Sequence, residues 1–184
     1  MSIRTLTAAA LVAAAIASPA FAQNNPMVGG APMLETRNII ENAVNSAAHT
    51  TLVAAVQAAG LVETLQGPGP FTVFAPTNEA FAKLPAGTVE SLLLPENKDM
   101  LVKVLTCHVV AAEAFSAAVM QMVSEDGGSH DITTVGGCVI KASIEDGWVK
   151  LTDEQGNAAT VTIADVDQSN GVIHVIDTVL LPAM

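Results

Sequence analysis

The sequence contains no tyrosine, a single tryptophan (Trp148) and only five phenylalanines. Proteins that grip sugars or single-stranded bases lean on aromatic platforms, so this scarcity argues against a lectin-like or strand-binding surface. Basic side chains are nearly as rare, seven Lys and Arg against 18 Asp and Glu, for a formal charge of −11. A nucleic-acid surface needs clustered Lys and Arg, and anionic lipid attracts basic segments, so both are excluded as electrostatic partners. The acidity suits a soluble protein kept apart by self-repulsion. After the first two dozen residues no apolar run reaches membrane-spanning length.

What is present begins with MSIRTLTAAALVAAAIASPAFA. One positive charge (Arg4), an alanine-rich apolar run and Ala20-Phe21-Ala22 make the pattern of a secretory signal peptide cut after Ala22. No cysteine follows the cut, so a lipid anchor is not expected, and the destination is the periplasm or the medium. The remainder carries six basic against 18 acidic side chains, a charge of −12. Residues 23–36 are rich in Asn, Pro and Gly without a period and read as a flexible leader. Residues 37–184 are long enough for one domain with its own core.

Ile39, Ile40, Ala43, Val44 and Ala47 recur at helical spacing, and a second helix, capped by Thr50 or Thr51, stops at Gly60. Gly67-Pro68-Gly69-Pro70 is no phosphate loop, because its prolines lack the N–H groups such a loop needs. It leads into a buried strand, Phe71 to Phe74, ended by Pro76, with Thr77 or Asn78 capping a short helix. Further helices are predicted around 87–93, 96–105 and 115–124. From His130 the period changes to two, with strands at 130–135, 138–144, 148–152, 158–166 and 172–180. Asp146-Gly147 is a strong hairpin signal. Helices in the first half and antiparallel strands in the second give an α+β class.

Cys107 beside His108, in Leu105-Thr106-Cys107-His108-Val109-Val110, raises the question of a thiol–imidazole pair. Read as a strand, Thr106–Val110 sends the two side chains to opposite faces. A dyad would then need His49, His130 or His174 brought to Cys107 by the fold. Two cysteines in an exported chain favour a Cys107–Cys138 disulfide. Closing a loop of about 32 residues contributes roughly 3–4 kcal/mol in the chain-entropy model. No two histidines sit at metal-ligand spacing, and His108 and His174 read as hydrogen-bonded core residues. Asp165-Val166-Asp167 resembles the opening of a calcium loop, but its glycine is late and its twelfth position is Ile176. Glu125-Asp126 and Asp153-Glu154 read as solvated turn charges. No motif assembles an active site, so the chain is read as non-catalytic, without cofactor or metal.

Phe71-Thr72-Val73-Phe74-Ala75-Pro76-Thr77-Asn78-Glu79-Ala80-Phe81 and Asn170-Gly171-Val172-Ile173-His174-Val175-Ile176-Asp177-Thr178-Val179-Leu180-Leu181-Pro182 resemble the two conserved boxes of the fasciclin domain. Leu105 to Val110 is similar to that family's tyrosine–histidine segment, with Cys107 in the tyrosine's place. The resemblance implies an α+β fold, a helical layer packed on a wedge of two β-sheets, in extracellular adhesion or matrix proteins without catalysis. In it Pro76, Thr77, His174 and Asp177 are scaffold, and His174 and Asp177 face opposite ways. Animal relatives use the tyrosine–histidine segment and an Asp-Ile segment in integrin binding. Asn97-Lys98-Asp99-Met100-Leu101 resembles the latter, with Met100 for isoleucine. These five residues and His108 are therefore the candidate binding set. The expected partner is a protein or glycan of a cell surface or matrix. The alternative is carriage of an apolar small molecule such as a carotenoid, as in some algal relatives.

Overall fold

The computed structural model describes residues 25–183 and opens on a hairpin of β1 (Met27–Val28) and β2 (Ala31–Pro32). The signal segment 1–22 and its cut lie outside the described residues. From Met27 onward the expected flexible leader needs correction. Val28 and Met33 are buried, Ser46 Oγ donates to the Val28 carbonyl, and Ala47 N–H donates to that of Gly29. The segment lacks a period of its own, and its order comes from residues it meets further along the chain.

α1 (Ile39–Ala43) starts at a reciprocal cap: Asn38 accepts from Glu41 N–H while the Glu41 carboxylate accepts from Asn38 N–H. A 3₁₀ turn over Ala47–His49 leads into α2 (Thr50–Ala59), which ends at Gly60 in the left-handed region, φ 75°. α3 (Val62–Leu65) precedes β3 (Phe71–Pro76). Thr77 Oγ1 then accepts from Ala80 N–H at 3.2 Å to cap α4 (Asn78–Ala82). α5 (Thr88–Leu92), a 3₁₀ turn at Pro95–Asn97 and α6 (Lys98–Thr106) follow.

The strand expected over Thr106–Val110 is corrected. α6 continues to Thr106, Cys107 N–H donates to the Lys103 carbonyl and His108 N–H to that of Leu105. Only β4 (Val109–Val110) is extended. The three- and four-residue spacing of Leu101, Val104 and Leu105, all buried, outweighs the β-branched pair that follows them. Strand alternation therefore does not separate Cys107 from His108.

α7 (Ser116–Glu125) precedes β5 (Ser129–Thr133), β6 (Val139–Glu145), β7 (Trp148–Thr152), β8 (Ala158–Gln168) and β9 (Gly171–Ile176). The strand predicted over 172–180 ends at Ile176. Seven strands form one ladder in the order β4-β3-β9-β8-β7-β6-β5. The eleven-residue β8 belongs to both halves: Ala158–Thr160 pair with β7, and Val161 to Gln168 pair with β9 across two register shifts. At one shift Asp165 adopts φ 56° and turns its carboxylate to α7, accepting Ser116 N–H at 2.6 Å and the Ser116 hydroxyl. This is a cap supplied from 49 residues away. Asp165→Ala is expected to cost about 2 kcal/mol and Asp165→Asn, which keeps an acceptor, under about half of that, measured by urea denaturation.

β3 and β9 run parallel, Phe71 opposite Gly171, and at this start only glycine serves: φ is 150° and a Cβ would collide with the Phe71 backbone. β9 is buried along its whole length, as a central strand requires. Val73, Ala75, Ile173 and Val175 face a core with α1, α2, α4 and α6, whereas Phe74 and Ile176 join Val119, Val123, Ile140 and Leu151 in a second. The ladder's two ends approach each other: Val135 N–H donates to the Val109 carbonyl at 2.7 Å and Gly136 N–H to that of Thr106 at 3.0 Å. Cys107 and Cys138 are joined beside this closure, with Cα atoms 5.4 Å apart.

Candidate functional site

Helical periodicity turns Leu101, Val104 and Leu105 of α6 inward and leaves Met100 at the surface, 42 % exposed. Met100 stands at an apolar groove of about 300 Å³. Leu84 and Pro85 after α4, Leu92 of α5, Val104 of α6 and Leu181 of the chain end supply its walls. Thr88, Gln155 and Pro182 complete it, so two side chains with hydrogen-bonding groups sit among apolar neighbours.

The candidate binding set is split by the fold. Asn97 closes the 3₁₀ turn, its amide donating to the Ser91 carbonyl at 2.7 Å. Lys98 and Asp99 are exposed and Leu101 is core. Among Asn97 to Leu101, the groove lining includes only Met100. His108 is buried, away from any surface a partner could touch. Leu180 N–H donates to His108 Nε2 at 2.9 Å, so the proton sits on Nδ1, which donates to the Val104 carbonyl at 2.8 Å. Burial pushes its pKa down to about 4, against the opposing pull of the Val104 carbonyl and the Asp153 charge. The neutral ring is thus the folded form. What it contributes to stability is complete above its ordinary 6.5 and is lost as pH falls toward about 4.

The scaffold residues cluster on the paired strands β3 and β9 and the residues that follow them, each with its own partners. His174 Nε2 donates to the Ala114 carbonyl at 2.8 Å while its Nδ1 accepts from Asp165 N–H. Burial lowers the His174 pKa as well. Asp177 accepts from Thr160 N–H at 2.8 Å and pairs with Lys83 at 3.3 Å. Pro76 ends β3, and Thr77 caps α4. Asp165 lies within β8, hydrogen-bonded to α7, and among the described residues no three His, Cys, Asp or Glu are grouped to hold a metal.

Asp153 corrects its reading as a solvated charge, whereas Glu154 is exposed. Asp153 is buried and accepts four hydrogen bonds: from Gln155 N–H, Asn157 N–H, the Asn157 amide and Leu181 N–H. Glu154 accepts from Ala183 and Val139 N–H, which lower its pKa. Both hold the chain end that walls the groove. A carboxylate two residues before Gln155-Gly156-Asn157 is a recognisable Asx-turn signal. The Leu181 contact, 28 residues on, has no local trace.

Several known proteins share this design. The fasciclin domain family model matches residues 47–182. "Protein sll1483" of Synechocystis is 51 % identical over 162 residues, covering 88 % of this chain and 83 % of that protein. The cell surface glycolipoprotein MPB83 of Mycobacterium bovis is 30 % identical over 200 residues, covering 97 % and 80 %. A solved FAS1 domain pair from the insect cell adhesion molecule Fasciclin I superposes with a TM-score of 0.69 at 20 % identity, over 79 % of this chain and 51 % of that one. No helix among the described residues is long and apolar enough to cross a membrane. The paired boxes, the α+β ladder and these matches together make the chain a member of the fasciclin domain family.

Proposed function

We propose that this is an exported, non-catalytic module for attachment at a cell surface or matrix, and that the groove beside α6 takes an apolar anchor of a protein partner. The observation that carries the reading is the groove itself, a concave apolar surface with an exposed methionine at its mouth. Two relatives named for a cell surface and for cell adhesion support the setting. The strongly acidic charge turns the choice away from nucleic acid and anionic lipid.

Met100→Glu places a charge in the groove's mouth while disturbing little else, since surface changes of this kind fall within about 0.5 kcal/mol. Binding of the labelled mature protein to cells of its own source is expected to weaken by about tenfold or more, with the melting temperature held. Unchanged binding by the folded variant would remove the groove from the reading.

The second reading is carriage of an apolar small molecule. About 300 Å³ of largely apolar space lies at the lower end of the range for ligand pockets. Protein purified from its native cell with an apolar molecule bound would favour that reading over attachment.

A further inference from the structure

From Leu180 onward the chain joins no strand, and side chains hold it in place. Leu180 N–H donates to His108 Nε2 at 2.9 Å, Leu181 N–H to Asp153 Oδ2 at 2.8 Å and Ala183 N–H to Glu154 Oε2 at 2.7 Å. The Gln155 amide donates to the Pro182 carbonyl at 2.8 Å. Three backbone donors in succession, interrupted only by proline, thus end on side-chain acceptors, and at His108 a proton removes the acceptor altogether. A ladder strand would have used carbonyls, which are indifferent to acid in this range. The same few residues place Leu181 and Pro182 along one wall of the groove.

We propose that residues 180–183 form an acid-released strap: protonation of His108 detaches this segment and removes one wall of the groove while the β3–β9 ladder stays folded. The strap does not depend on what the groove binds, so it stands or falls separately from the attachment reading.

Several charged groups face the strap. Lys83, which follows α4, pairs with Asp177 and donates to Thr178 at its root, Lys103 of α6 acts on Glu154, and Asp153 acts on His108. Opposing release, Val179 and Leu180 are each 1 % exposed, so opening uncovers apolar surface and the closed form dominates at neutral pH. His108 tips the balance. A charged imidazole has no lone pair for Leu180 N–H and is cut off from water in its buried site, so protonation favours the form in which the strap has left. With about 4 in the closed form and 6.5 in the open one, the opening equilibrium rises roughly 20-fold from pH 7 to pH 5 and roughly 100-fold by pH 4.

Native-state hydrogen exchange on the mature protein tests this, with each amide's protection corrected for intrinsic exchange at the pH used. Protection of Leu180, Leu181 and Ala183 is expected to fall by about those factors and to lie below that of the β3–β9 amides at every pH. Strap protection that stays flat to pH 4, or that equals the ladder's at each pH, overturns the proposal. His108→Gln retains a donor and an acceptor without titrating and is expected to flatten the Leu180 response between pH 7 and 5. Should that variant fail to fold, the ring nitrogens of His108 in the unaltered protein decide by ¹⁵N NMR. They are expected to stay neutral in the closed protein until about pH 4 although strap exchange already rises from pH 7, and a ring that titrates near 6.5 there overturns the assignment.

Discussion

Protein lacking the Cys107–Cys138 bond is expected to be about 3–4 kcal/mol less stable than the oxidised form. The bond spans 31 residues, and the chain-entropy model assigns a loop of that size a constraint of this order on the unfolded state. Against a typical total of about 5–15 kcal/mol the loss is large, and it corresponds to a melting temperature lower by roughly 10 °C for a domain of this length. Both cysteines are buried, Cys107 at 1 % and Cys138 at 4 % exposure, so a mild reductant reaches them only through opening. Reduction is therefore expected to be slow in buffer and fast in denaturant. The comparison to make is thermal unfolding of the oxidised protein against the Cys107→Ala/Cys138→Ala double variant, which leaves no buried thiol or hydroxyl behind. A difference below about 1 kcal/mol would show that the native geometry gives back most of the entropic gain.

Asn170→Ala is expected to cost about 3 kcal/mol or more, although the site is a turn. The Asn170 side chain accepts Ile39 N–H at 3.0 Å and donates to the carbonyls of Leu65 and Gly67 at 2.8 and 2.9 Å. One amide thus ties the start of α1, the end of α3 and the β8–β9 turn together. Alanine strands three backbone groups in a site with 9 % exposure, each at about 1–3 kcal/mol, part of which water entry recovers. Asn170→Asp separates the two roles. It keeps an acceptor for Ile39 N–H but sets a carboxylate against two carbonyls, so it is expected to be at least as damaging as alanine near neutral pH. An Asp variant as stable as the parent in chemical denaturation would place the value of Asn170 in the Ile39 bond alone.

The features legible in the sequence are those whose causes lie close by along the chain. Thr77 caps α4 because Ala80 N–H is three residues away, and Asp146-Gly147 turns a hairpin because both residues tolerate positive φ. The helix predicted over 115–124 needed only its own apolar spacing, with Val119 and Val123 buried. Cys107–Cys138 followed from the count of cysteines and the expected compartment. The conserved boxes carried the family and hence the fold, which turns alone could not order into a ladder.

Where the cause is remote, the reading failed or was blank. Val28 and Met33 are buried by a core contributed largely by later residues, which a local window over 23–36 does not contain. Asn42 looked like any polar helix residue, yet it accepts from Leu34 N–H and donates to the Leu34 carbonyl and to Gln168, 126 positions away. The groove was half visible: the resemblance pointed to Asn97–Leu101, but only Met100 reaches it, and the facing wall arrives from the chain end. At Cys107 and His108 the strand expectation was wrong, yet the two side chains still part company, one to Cys138 and one to Leu180.

The meeting of Val109 with Val135 has a consequence for how molecules of this protein treat each other in a crowd. An open sheet margin is a template on which another copy can lay a strand, the first step of aggregation. Here the two outermost strands of the ladder are turned toward each other and fastened by Val135 N–H and the neighbouring sulfurs, leaving little free margin at that end. Without that bond the same residues would offer unpaired backbone beside exposed Val135 and Val139. In concentrated, warmed solution the reduced protein is then the form expected to turn cloudy.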